Sequence, residues 1–143
     1  MTRGWMSVIG VGVVVIAAGT MLGAGQGQTV LDGLYTDAQA IRGAALYRDR
    51  CEGCHAPDLS GGKVVPGLAG PAFAERWSDR TLAQWLELVL VSMPEEDPGS
   101  VSASQSADIL AFILRANGLP AGDSELPSRP DTLERYTFAA SAP

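Results

Sequence analysis

The chemistry-bearing residues of this chain are gathered in one pentapeptide. Cys51-Glu52-Gly53-Cys54-His55 holds both cysteines and the only histidine of the 143 residues. Two thiols one helical turn apart, followed at once by an imidazole, make a word suited to covalent attachment of haem. Each thiol forms a thioether to one vinyl group, and the imidazole falls beneath the iron as proximal ligand. Other chemistries use Cys-x-x-Cys as well. A structural zinc takes four ligands, and two Cys plus one His are too few for such a site in a monomer. A thioredoxin-like dithiol follows a strand, whereas the residues before Cys51 read as helix. A disulfide across a two-residue spacer closes a small, strained ring. Haem attachment is the reading that uses all three side chains.

A haem held by His55 takes a sixth ligand from elsewhere in the chain, and there is no second histidine. Met1, Met6 and Met21 fall in the first 25 residues, which leaves Met93 as the one methionine of the remaining sequence. Methionine otherwise serves as adaptable core filler; beside a haem word, Met93 is the candidate partner of His55. An iron-bound histidine rests its other ring N–H on a carboxylate or a backbone carbonyl. The segment after His55 carries Pro57, Gly61, Gly62, Pro66, Gly67 and Gly70 and reads as a loop, with the Pro66 carbonyl as candidate acceptor. Phe73 and Trp77 share a helical face and read first as core, with contact to a haem propionate through the Trp77 N–H, Arg76 or Arg80 as the functional alternative.

Three helices position these groups. Thr36-Asp37-Ala38-Gln39 is a capping-box signature that opens a helix running to about Cys51. Gly43, Tyr47 and Cys51 lie four apart on it. A glycine inside a helix costs about 1 kcal/mol relative to alanine, which close approach of another helix would offset and which a tolerated weak spot would not. Thr81 to Gln84 opens a second helix with Leu82, Trp85, Leu86 and Val89 at helical spacing. It ends at Ser92, because Pro94 biases Met93 out of the helical region and so displays it on a turn before Glu95, Glu96 and Asp97. Ser102 to Gln105 opens a third, carrying Ile109, Leu110, Phe112, Ile113 and Leu114, stopped by Asn117-Gly118 and Pro120. Residues 26–35 read as a loose lead-in.

The length suits one domain with a leader and a tail. Arg3 precedes an uncharged run from Gly4 to Gly25 whose most apolar part, Val8 to Ala18, has the length of a signal-peptide hydrophobic region, with small residues at Gly23, Ala24 and Gly25. The same 22 residues would just span a bilayer as an uncleaved anchor; the glycines and the single flanking positive charge favour a cleaved signal. Export is the expectation, with membrane attachment only if the run is retained; the family that the Cys51–His55 word suggests implies the periplasm as the compartment. The net charge of −6 argues against nucleic acid as a partner. Lys63 is the sole lysine, so a partner that recognises the surface electrostatically presents a basic patch.

Taken in order, Gly43-x-x-x-Tyr47-x-x-x-Cys51, the Cys51–His55 word, Pro66-Gly67-Leu68, Met93 and the helix around Asp108 to Phe112 make residues 36–118 resemble a class I cytochrome c. The resemblance implies an all-α fold wrapped around one haem c bound through Cys51 and Cys54. It also implies a first and last helix that cross near Gly43, with Tyr47 against Ile109 and Phe112. Asp58-Leu59-Ser60-Gly61, Pro66 to Gly70, Phe73-x-x-x-Trp77, Met93-Pro94, Pro98-Gly99-Ser100 and Ala116 to Gly122 are similar to the monohaem cytochromes and domains associated with quinoprotein alcohol dehydrogenases. Ala56, where glycine is frequent, and Trp85 depart from that pattern. The expected organisation is a leader or anchor at 1–25, a cytochrome domain at 36–118 and an extended tail at 119–143 that wraps the surface or stays partly disordered. The expected role is one-electron transfer with His55 and Met93 on the iron and no catalytic residue. Its partners would be a dehydrogenase, such as a quinoprotein, and a terminal oxidase or another cytochrome. A general carrier between respiratory complexes and an open-site haem sensor or enzyme are the alternatives.

Overall fold

The structure is a computed structural model that describes Met1 and residues 28–139; the apolar run read as signal or anchor lies outside the described residues. The order is β1 (Gln28–Thr29), a 3-10 turn (Val30–Asp32), α1 (Asp37–Arg50), α2 (Glu52–His55), α3 (Pro71–Trp77), α4 (Leu82–Ser92), α5 (Ala103–Ala116), α6 (Pro130–Leu133) and β2 (Tyr136–Thr137). The architecture is all-α, with one parallel pair of two-residue strands, Gln28 opposite Tyr136 and Thr29 opposite Thr137. No helix among the described residues is long and apolar enough to cross a membrane.

The three long helices start where their caps dictate. Thr81 and Ser102 each accept from the backbone N–H three residues on, and Gln84 and Gln105 return the bond, completing two capping boxes. Thr36 makes only half of one. Its hydroxyl accepts from Gln39 N–H, but the Gln39 side chain reaches away, donating to Leu126 O at 3.0 Å and accepting from Leu126 N at 2.7 Å. A buried amide with a matched backbone partner outweighs an exposed cap bond, and here it ties α1 to the C-terminal segment.

Helices α1 and α5 cross where Gly43 meets the Asp108 backbone. A Cβ at position 43 would overlap the Asp108 carbonyl, so close helix approach explains the mid-helix glycine. Tyr47 packs on Phe112 with ring centroids 5.1 Å apart. Arg42 grips Asp108 with a fork of two 3.0 Å bonds and also reaches Glu125 at 2.9 Å.

Residues 28–35 are not a loose lead-in: Val30, Leu34 and Tyr35 are buried, and Tyr35 donates to Leu119 O at 2.7 Å. The segment after α5 is likewise seated, with Leu126, Leu133 and Phe138 in the same core. Each end contributes a few isolated apolar side chains rather than a periodic face, so neither has a pattern to read.

Alanine at position 43 would gain about 1 kcal/mol of helix propensity but would have to push a backbone carbonyl aside. Overpacking of this kind costs about 1–3 kcal/mol. Because a backbone atom cannot swing away as a side-chain tip does, the clash wins. Gly43→Ala is expected to lower stability by about 1 kcal/mol net, read as a lower urea midpoint; an unchanged midpoint would show that the helices separate freely.

Candidate functional site

The last turn of α1 delivers the first thiol. Cys51 N–H donates to Tyr47 O at 2.8 Å, and the chain then bends, so Cys51 ends α1 and caps α2. His55 N–H donates to Cys51 O at 2.9 Å and Cys54 N–H to the same oxygen at 3.2 Å. Both cysteines and the imidazole therefore ride on one helical turn. Neither cysteine is in a disulfide.

Ala56 breaks the helix with φ 66° and ψ 155°, a conformation that costs a residue bearing a Cβ of order 1–3 kcal/mol. Its carbonyl accepts the Tyr47 hydroxyl at 2.6 Å, and the chain returns as Gly61 N–H donates to His55 O at 2.9 Å. The loop brings the Pro66 carbonyl to 2.9 Å from His55 Nδ1. A carbonyl only accepts, so Nδ1 carries the proton and the lone pair of Nε2 is left bare.

His55, Cys51, Cys54 and Met93 line one apolar cleft with Trp77, Trp85, Val89, Ile109 and Ile113. The cleft holds about 1090 Å³ of empty space, part of it open to solvent. Two unbridged thiols and a bare imidazole nitrogen on one turn, facing an apolar wall with a thioether on it, fit a covalently held haem. Burial first, then the neighbouring Cys54 and Glu96, push the Cys51 thiol up to about 11. Dithiol redox sites do the reverse and stabilise the thiolate. Among the described residues no group of three or more His, Cys, Asp or Glu side chains is arranged to hold a metal.

Trp77 is both core and cleft wall. It is buried, packs on Phe73 and Phe138 with centroids 6.5 and 5.4 Å away, and still lines the cleft. Arg76 lines the cleft too, whereas Arg80 stacks over the Trp77 ring at 5.5 Å. Sequence reasoning did not assign Trp85, Ile109, Ile113 or Arg50 to the site. The first three stand at helical core spacing, which marks a buried face without saying what covers it. Asn117, read only as a helix stop, braces the loop: Oδ1 accepts from Gly70 N–H at 2.9 Å, and Nδ2 donates to Leu68 O at 3.0 Å and to Ile113 O at 2.8 Å.

A family model described as Cytochrome C oxidase, cbb3-type, subunit III, matches residues 38–113. No curated protein matches. Among solved structures, the chain is similar to one described as the sulfane dehydrogenase SoxCD from Paracoccus pantotrophus, with 26% identity and a TM-score of 0.57 over 69% of this chain and 52% of that one. The chain thus spans about half the length of that relative.

Glycine adopts the Ala56 conformation without the Cβ penalty, which outweighs the extra freedom it gives the unfolded chain, about 0.4–1 kcal/mol. Ala56→Gly is expected to raise stability by about 1 kcal/mol, read from urea unfolding; a loss of stability would show that position 56 is unstrained.

Proposed function

Because this chain belongs to the family described as Cytochrome C oxidase, cbb3-type, subunit III, whose model spans residues 38–113, we propose that it is a closed-site electron carrier in which His55 and Met93 would both hold the haem iron. The domain is a monohaem class I c-type cytochrome with an electron-transfer role, and its haem c is bound through Cys51 and Cys54. When bound, the haem supplies one-electron cycling between ferrous and ferric iron.

The side chains govern how that cycling is used. Cys51 and Cys54 fix the group covalently at the end of α1. His55 would offer Nε2 to the iron, with the Pro66 carbonyl, 2.9 Å from Nδ1, orienting the ring. Met93, at the end of α4, brings a thioether to the same cleft; a soft thioether favours the ferrous state and raises the potential. Trp77, Trp85, Val89 and Ile109 limit water. The observation that carries the reading is the shared apolar cleft, in which a bare imidazole nitrogen and the chain's one candidate thioether stand with both thiols.

The donor we propose is a dehydrogenase for which this chain is acceptor or subunit, and the acceptor a terminal oxidase or another cytochrome. The likeness to a structure described as a sulfane dehydrogenase supports that class, as do the loop words shared with quinoprotein-associated cytochromes. Exposed Val64 and Leu88 line the cleft together with Glu95, Glu96, Arg50 and Arg76, a surface suited to a partner with an apolar patch and charges of both signs around it. The compartment we propose is the periplasm, supported by the signal-like run Val8 to Ala18.

The ferric optical spectrum tests the ligand pair. The native protein is expected to show a sulfur-to-iron charge-transfer band that Met93→Ala abolishes. A native spectrum without the band, unchanged by the substitution, would overturn the assignment.

A further inference from the structure

The matched family region stops at residue 113, yet the chain folds on through a packed segment to residue 139. That segment touches the wall of the cleft at two places without lining the cleft itself. Leu133, fully buried, belongs to α6, which packs on α4. Thr137 bridges Thr81, the cap of α4, and Phe138 N–H donates to Arg80 O at 2.9 Å. The Phe138 ring lies 5.4 Å from Trp77 and meets Phe73 edge-on at 6.0 Å, opposite in chemistry to the Arg80 guanidinium that also contacts the indole, at 5.5 Å. Trp77 lines the cleft, and α4, whose start is held in this way, ends at Met93.

We infer that Phe138 is a positioning residue for the haem site: by packing on Trp77 beside the start of α4, it keeps the Met93 thioether on the iron, so that the C-terminal segment sets how often the sixth site opens. The inference rests on the reading of Met93 as axial ligand. Its physical basis is the close packing of protein interiors, in which a lost ring leaves a void that neighbours fill only in part. A loosened Trp77 frees the α3–α4 wall to move, and local opening of that wall is the step that lets Met93 depart.

A merely stabilising role for the segment gives a different result, and Leu126 separates the two. It is buried in the same segment and the same core, but its backbone is paired with Gln39 on α1, and the Trp77 ring contacts are to Phe73, Phe138 and Arg80 instead. The experiment mixes ferric holoprotein with imidazole and reads the limiting rate at saturating imidazole, which is the rate of Met93 release. Urea unfolding of each variant is measured alongside.

Phe138→Ala is expected to raise the limiting rate about tenfold or more. Phe138→Leu, which keeps bulk and loses the ring, is expected to raise it about threefold, and it carries the test if Phe138→Ala yields no folded holoprotein. Leu126→Ala is expected to lose stability while staying within about twofold of the native rate. Native rates in both Phe138 variants, or equal acceleration in Leu126→Ala, would overturn the inference. A native ferric spectrum lacking the sulfur band would instead remove its premise, which tells failure of the ligand assignment apart from failure of the positioning role.

Discussion

Helices α1 and α5 touch through their backbones at Gly43 and Asp108, and the geometry of the site hangs on that contact. The last turn of α1 ends at Cys51, which fixes where both thiols and His55 sit. The same α5 supplies Ile109 and Ile113 to the cleft, and Asn117 at its end holds the loop at Leu68 and Gly70. A wider crossing would draw the thiol-bearing turn away from the wall it faces. The Arg42 fork on Asp108 and its reach to Glu125 lie across the same crossing, partly exposed, where geometry matters more than Coulomb energy.

A four-residue helix has no stability of its own, so α2 is held from outside. Tyr47 bonds the Ala56 carbonyl, His55 O takes the Gly61 N–H, and the Pro66 carbonyl takes the imidazole. Strain at Ala56 and order in a glycine-rich loop are the cost of presenting Nε2 bare and aimed. The return is preorganisation: little rearrangement of this turn is left for an electron transfer to drive.

What was legible in the sequence was local. Thr36, Thr81 and Ser102 announce helix starts because a cap bond spans three residues, and Pro94 ends α4 because its ring constrains the residue before it. The Cys51–His55 word was readable because it is a requirement of residue types at one spacing, whereas the Gly43 crossing with the last helix came through the cytochrome resemblance and the Pro66 carbonyl from a ligating histidine's need for an acceptor. Gln39 was misread, since spacing cannot tell an amide that folds back onto its cap from one that reaches Leu126. Trp85, Ile109 and Ile113 were read as plain core, because helical periodicity marks a buried face and is silent on whether protein or cofactor covers it. Leu126, Leu133 and Phe138 carried no signal: they enter the core singly, from a segment without a repeat.

With Met93 proposed as the second ligand opposite His55, the iron would have no open site at neutral pH. Mixing the ferrous protein with carbon monoxide tests it most directly. The account predicts that no complex forms on the timescale of mixing and that any binding is slow and limited by release of Met93. Rapid binding, proportional to carbon monoxide concentration, would contradict it and point to an open-site sensor or enzyme.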